Sequence, residues 1–123
     1  MNPDYQNLLQ QAHLVRAYAY APYSDYKVGA ALLGSDGNVY LGVNVENASY
    51  GATLCAERAA FAAAIAKGAR KFTALAVVGN RPDCIPCGIC LQWMSEFVGP
   101  EFPVVTEEGV YRLGELLPKG FQL

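Results

Sequence analysis

Two short runs, Lys27 to Leu33 and Phe72 to Val78, are apolar at almost every position. A strand with one solvated face alternates apolar and polar residues, so these runs read as strands covered on both faces. Such strands need helices above and below the sheet, and the rest of the chain supplies them. Behind Asn2-Pro3, an N-cap with proline in the first turn, Tyr5, Leu8, Ala12, Val15 and Ala19 recur at helical spacing. This helix is expected to end before Ala21-Pro22, because the residue ahead of a proline is pushed out of the helical region. Ser35-Asp36-Gly37-Asn38 is a turn, and Val39 to Val45 is the returning strand of a hairpin. From Cys55 to about Lys67 the alanine content and lack of breakers predict a helix closed near Gly68. After the strand Phe72–Val78 come a loop, Gly79–Asp83, and a helix from Pro86-Cys87 to Phe97. A strand over Phe102 to Thr106, a turn at Glu107-Glu108-Gly109, a fifth strand over Val110 to Leu113 and a short helix around Glu115 complete the chain. Helices placed between strands in this way predict an α/β fold: three α-β-α layers around a mixed sheet of about five strands.

Composition narrows the class. A chain of 123 residues is expected to form one domain, 1–123, large enough to build a core without covalent staples. With 53% hydrophobic residues the chain is not a disordered one, and its 16% charged residues fall below the usual ~25%, as if other subunits cover part of the surface. A formal net charge of −2 gives no electrostatic reason to bind a phosphate backbone, so no nucleic acid polymer is expected as a partner. The longest apolar stretch, Ala59 to Ala66, is far short of the ~20 residues of a membrane span. The first residues, Met-Asn-Pro-Asp-Tyr-Gln-Asn, do not read as a secretion signal, and a cytoplasmic location is expected.

The chemistry is concentrated in cysteine. Of Cys55, Cys84, Cys87 and Cys90, three fall within seven residues. In an intracellular chain that clustering points to metal ligands before disulfides. Pro86-Cys87-Gly88-Ile89-Cys90 puts two sulfurs on one side of a helix start, where the helix dipole favours thiolates. A Cys-x-x-Cys redox motif is the competing reading, but the strand–helix context it requires is missing. Cys55, at the start of the other alanine-rich helix, supplies a third thiolate. Three ligands and an open fourth position mark a catalytic zinc. Glu57, two residues on, can reach a water at the metal without binding the metal, as a proton shuttle must. This Cys-x-Glu followed by Pro-Cys-x-x-Cys is the zinc deaminase signature. Blander readings stand beside it: Cys87 and Cys90 as core thiols, a structural zinc with Cys84 as fourth ligand, Glu57 as a helix-start acid, Arg58 in a surface ion pair, and Asn44 and Glu46 as a turn residue and a solvated acid.

Over essentially its whole length the chain resembles the small homotetrameric cytidine deaminases. The resemblance is carried, in order, by Ala21-Pro22-Tyr23-Ser24, Val28-Gly29-Ala30-Ala31-Leu32, Asn44-Val45-Glu46-Asn47-Ala48, Cys55-Ala56-Glu57-Arg58 and Pro86-Cys87-Gly88-Ile89-Cys90. It implies hydrolytic deamination of cytidine and 2′-deoxycytidine, one Zn2+ per subunit on Cys55, Cys87 and Cys90, and Glu57 as the catalytic proton carrier. Three thiolates on a divalent ion leave a net negative charge, which Arg58 offsets by hydrogen bonding to ligand sulfurs. Asn44 and Glu46, two apart at a strand end and so on one face, are implied to hold the ribose, the carboxylate on its 3′-hydroxyl. The resemblance further implies substrate contacts from Ala56 and from Tyr26, which stands where the family usually has a stacking Phe. Tyr50 and Phe121 correspond to residues given to a neighbouring subunit's pocket in a homotetramer with shared active sites. Leu91 departs from the motif, which more often has arginine there. Competing functions are deamination of a modified cytidine or of a cytosine-containing antibiotic such as blasticidin S, and a non-catalytic structural zinc module.

Overall fold

The structure, a computed structural model, describes residues 4–123. The first helix, α1, spans Tyr5–Arg16. Asn2 and Pro3 lie outside the described residues, and the capping role falls to Asp4, whose Oδ1 accepts from the Asn7 N–H at 3.0 Å. α1 ends at Arg16, well before Ala21-Pro22. Tertiary pairing explains the early stop. Tyr20 donates its N–H to the Asn44 carbonyl at 3.0 Å and accepts from the Glu46 N–H at 2.8 Å, which draws residues 17–20 out of the helix. Ala19 is still buried, but through this extension.

Next come β1 (Gly29–Gly34) and β2 (Val39–Val43), joined by the expected turn. Each is shorter than its apolar run. Val45 leaves the ladder to bridge Tyr20 on one side and Leu54 on the other. A short 3₁₀ turn at Tyr50–Ala52, unforeseen in the sequence, precedes α2 (Ala56–Ala66). β3 is Phe72–Val78, as its apolar run predicted, and α3 is Gly88–Met94. α3 stops three residues before Phe97. The Ser95 hydroxyl donates to the Gln92 carbonyl at 2.6 Å, the local competition by which serine ends helices. β4 (Pro103–Thr106), β5 (Gly109–Arg112) and the single turn α4 (Leu113–Leu116) close the chain.

The five strands form one mixed sheet in the order β2-β1-β3-β4-β5. Only β3 and β4 run parallel. Alternate residues of the central strands feed opposite cores, as the two-residue strand period demands. Ala31, Ala74, Ala76 and Val78 pack under Leu8 and Ala12 of α1. Ala30, Leu32, Leu75 and Val77 pack on the other side against Phe61 of α2 and Leu91 and Met94 of α3. The three α-β-α layers are thus present. At two places the layers touch so closely that only glycine fits. A Cβ on Gly29 would lie 2.1 Å from the Ala12 carbonyl oxygen, and one on Gly42 would lie 2.3 Å from that of Ala56. Gly42 therefore lets the first turn of α2, which Cys55 immediately precedes, rest directly on the sheet. No helix among the described residues is long and apolar enough to cross a membrane.

Candidate functional site: a three-thiol cluster beside a buried carboxylate

Cys55 and Cys87 are the residues immediately before α2 and α3, and Cys90 lies in the first turn of α3. Because both helices start on the same side of the sheet, the three sulfurs meet, all within 4.8 Å of one another. Cys87 Sγ and Cys90 Sγ are 3.5 Å apart. Tetrahedral zinc with Zn–S bonds of about 2.3 Å holds its sulfurs about 3.8 Å apart, so this donor set fits zinc in both chemistry and spacing. Arg58 reaches back from α2: its Nη2 donates to Cys55 Sγ at 3.5 Å and to the Thr53 carbonyl at 3.1 Å. Its buried Nε has no hydrogen-bond partner among the described residues, an orphaned donor on the same guanidinium.

Cys84 is not part of the cluster. Its sulfur sits with the Tyr26 hydroxyl in the space that Gly79 leaves by having no side chain, a Cβ there being 2.7 Å from Sγ and 2.6 Å from Oη. The reading of Cys84 as a fourth ligand of a structural site is therefore set aside. Burial is the first reason that the Tyr26 hydroxyl and the Cys84 thiol are both raised above their usual ranges.

A cleft of about 380 Å³ opens onto the cluster, lined by Tyr26, Asn44, Cys55, Ala56, Glu57 and Cys87 among others. Glu57 is only 4% exposed. Glu46 and Tyr50 are not in this cleft. With Tyr23 and Ser24 they line an adjoining one of about 400 Å³, and Thr53 borders both. Phe121 lines neither; its ring is 68% exposed at the far end of the chain. Leu91, in contrast, is buried in the core, so its departure from the motif changes packing behind the metal helix rather than the surface.

Asn44 and Glu46 are committed locally in ways their spacing did not disclose. The Asn44 amide accepts from the Val28 N–H and donates to the Tyr26 carbonyl, both at 2.8 Å. Glu46 accepts from the N–H groups of Tyr23 and Ser24 at 2.9 and 3.2 Å and from the Ser24 hydroxyl. The hydroxyl contact is the first cause that holds the Glu46 carboxyl below the usual range, and the two N–H groups add to it. Residues 23–24 and Thr53 are the parts of the site that the sequence reading left without a role. Ser24 lay within a quoted motif, whereas nothing in a sequence marks the Thr53 carbonyl.

A family model described as the cytidine and deoxycytidylate deaminase zinc-binding region matches residues 2–106. The chain belongs to this deaminase family. A cytidine deaminase of Sporosarcina psychrophila is 46% identical over 102 residues, 82% of this chain and 75% of that protein. One from Mycobacterium tuberculosis is 45% identical over 121 residues, 98% of this chain and 91% of that protein. A crystal structure of cytidine deaminase from Mycobacterium tuberculosis superposes with a TM-score of 0.92 at 43% identity, covering 99% of this chain and all of that one. The mixed five-stranded fold is thus that of the deaminases.

In a deaminase the deciding question is which group can carry protons. Burial pushes the Glu57 carboxyl up to about 7, so it can both accept and return a proton near neutrality. The Cys55 thiol is lowered to about 5, first by a hydrogen bond from Cys90 and then by Arg58. Cys90, the donor in that pair, is raised, first by the same bond. The cluster therefore already stabilises a thiolate at Cys55, the form that binds a metal.

Proposed function

We propose that this chain is a zinc-dependent cytidine deaminase, which hydrolyses cytidine and 2′-deoxycytidine to uridine and 2′-deoxyuridine with release of ammonia. The observation that carries the reading is the buried Glu57 carboxyl in a cleft that Cys55 and Cys87, two of the three convergent thiols, also line. Cys55, Cys87 and Cys90 would hold one zinc ion per subunit, which would supply the Lewis acidity for attack of water on C4 of cytosine at neutral pH. Glu57 takes a proton from that water and delivers protons to N3 and to the departing amine. Arg58 offsets the excess negative charge of the three sulfurs.

Tyr26 and Ala56 contact the base, while Asn44 and Glu46 hold the ribose. Hydrogen-bond counting supports the ribose assignment. A carboxylate offers about four acceptor sites, and Glu46 uses three on residues 23–24. Asn44 likewise keeps one N–H and one lone pair free of its two backbone bonds. Each can therefore still take a sugar hydroxyl. Neither cleft has a lysine or arginine in its lining, whereas Glu46, Glu57 and Asp83 all face them. A phosphate group would meet like charge from this chain's side of the site, which favours a nucleoside over a nucleotide or polynucleotide as substrate.

Ammonia release from cytidine, 2′-deoxycytidine, cytosine, blasticidin S and deoxycytidylate tests this. Both nucleosides are expected to turn over, with deoxycytidylate lower in kcat/KM by roughly 100-fold or more. Turnover of blasticidin S alone, or of nothing, would overturn the assignment.

The reading includes a homotetramer of one-domain chains in the cytoplasm, in pyrimidine salvage, with Tyr50 and Phe121 completing neighbouring pockets. Their exposure, 75% and 68%, supports it. Light scattering at micromolar concentration is expected to give four chain masses, and a monomer would make pocket sharing untenable.

A further inference from the structure

The C-terminal segment is held in an unusual way. The Gln92 side chain pairs with the backbone of Phe121 at both ends of its amide: Nε2 donates to the Phe121 carbonyl and Oε1 accepts from the Phe121 N–H, each at 2.9 Å. The second Nε2 hydrogen goes to the Ser95 hydroxyl at 3.2 Å, so both amide hydrogens are used and the amide has one orientation. Gln122 adds a bond from Nε2 to the Ser95 carbonyl at 3.2 Å. Packing contributes little beside these bonds. A cavity of about 570 Å³ lies between the tail and the segment after α3, with Gly120 and Gln122 in its wall. Phe121 and Leu123 are both exposed.

Gln92 also sits two residues after Cys90, on the seven-residue helix whose start carries the thiol cluster. One short element thus sets the place of Cys87 and Cys90 and of the Phe121 backbone. So exposed a ring would otherwise sample many positions, and ordering it only on contact with substrate would weaken binding.

We propose that Gln92 is a positioning residue for substrate binding, acting by clamping the backbone of Phe121 so that its ring is presented in one place to a neighbouring subunit. The proposal rests on the reading of Phe121 as a shared pocket residue and adds to it what holds that residue.

The test compares zinc-loaded Gln92→Leu, Gln92→Glu and Phe121→Ala with the parent chain. Gln92→Leu removes both bonds at similar volume, and Gln92→Glu keeps the acceptor while losing the donor. Hydrogen exchange in the peptide 118–123 is expected to accelerate about tenfold or more in Gln92→Leu and less in Gln92→Glu. KM for cytidine is expected to rise about tenfold in Gln92→Leu, with kcat and zinc content within about twofold of the parent. Combining Gln92→Leu with Phe121→Ala should add little to the KM of Phe121→Ala alone, because both act through one ring. Parent-like tail exchange in both Gln92 variants would overturn the clamp. Fast tail exchange with parent-like KM, while Phe121→Ala raises KM, would overturn the positioning role alone. Parent-like KM in Phe121→Ala would instead overturn the pocket-sharing reading, and the role of Gln92 with it.

Discussion

Glu57→Gln is expected to lower kcat for cytidine by roughly 10²–10⁴-fold, the usual worth of a positioned general acid–base group, while zinc content stays near one per chain. The substitution keeps the size of the side chain and much of its hydrogen bonding but abolishes its ability to exchange a proton. Glu57 is enclosed almost completely, next to Cys55 and within the cleft that Cys87 also lines. Cys55 and Cys87 are assigned to the metal, and the other ionisable groups of that cleft do not replace Glu57. Tyr26 and Cys84 are raised away from neutrality, and Asp83 is exposed to solvent. Steady-state kinetics with metal analysis on the same preparation checks the expectation. Activity within tenfold of the parent would place proton transfer elsewhere and return Glu57 to the role of a helix-start acid.

A contrast between two cysteines three residues apart should be nearly all-or-none. Cys87→Ala removes one of three converging ligands, and bound zinc is expected to fall from about one per chain to a small fraction of that after dialysis, with activity lost in parallel. Cys87 is exposed, so its loss opens no core cavity and the fold should persist. Cys84→Ala is expected to keep its zinc, because Cys84 faces Tyr26 and Gly79 and not the cluster. Metal analysis by mass spectrometry, with circular dichroism as a folding control, reads both variants. Loss of zinc from Cys84→Ala as well would restore the four-cysteine structural site.

Which parts of this protein were legible in its sequence follows from the range of the forces involved. β3 lies where its apolar run predicted, since a strand buried on both faces needs an unbroken run and seven residues carry that information locally. The starts of α2 and α3 at Cys55 and Cys87 were equally visible, because the loop residues and the alanine-rich stretch mark them from within a few positions. The end of α1 was not. Its spacing continues to Ala19, but the backbone of Tyr20 pairs with Asn44 and Glu46, more than twenty residues away, and that pairing outweighs a weak helical preference. Glu46 shows the same limit within the site. Alternation placed it beside Asn44, yet β2 ends at Val43, and Ser24 draws the carboxylate into the adjoining cleft.

By itself, then, the sequence determined the layer order of the fold and the residue types of the chemistry. Hydrophobic period and helix-start chemistry act over a few residues, and the deaminase motif is written in contiguous pieces. Only the tertiary structure decided that Cys84 turns away from the other three cysteines, that Glu57 is buried in the wall of the cleft, and that Gln92 grips the Phe121 backbone. Each of these depends on where two distant segments meet, and here that meeting is set by close backbone approach at Gly42 and by the shared side of the sheet from which α2 and α3 begin.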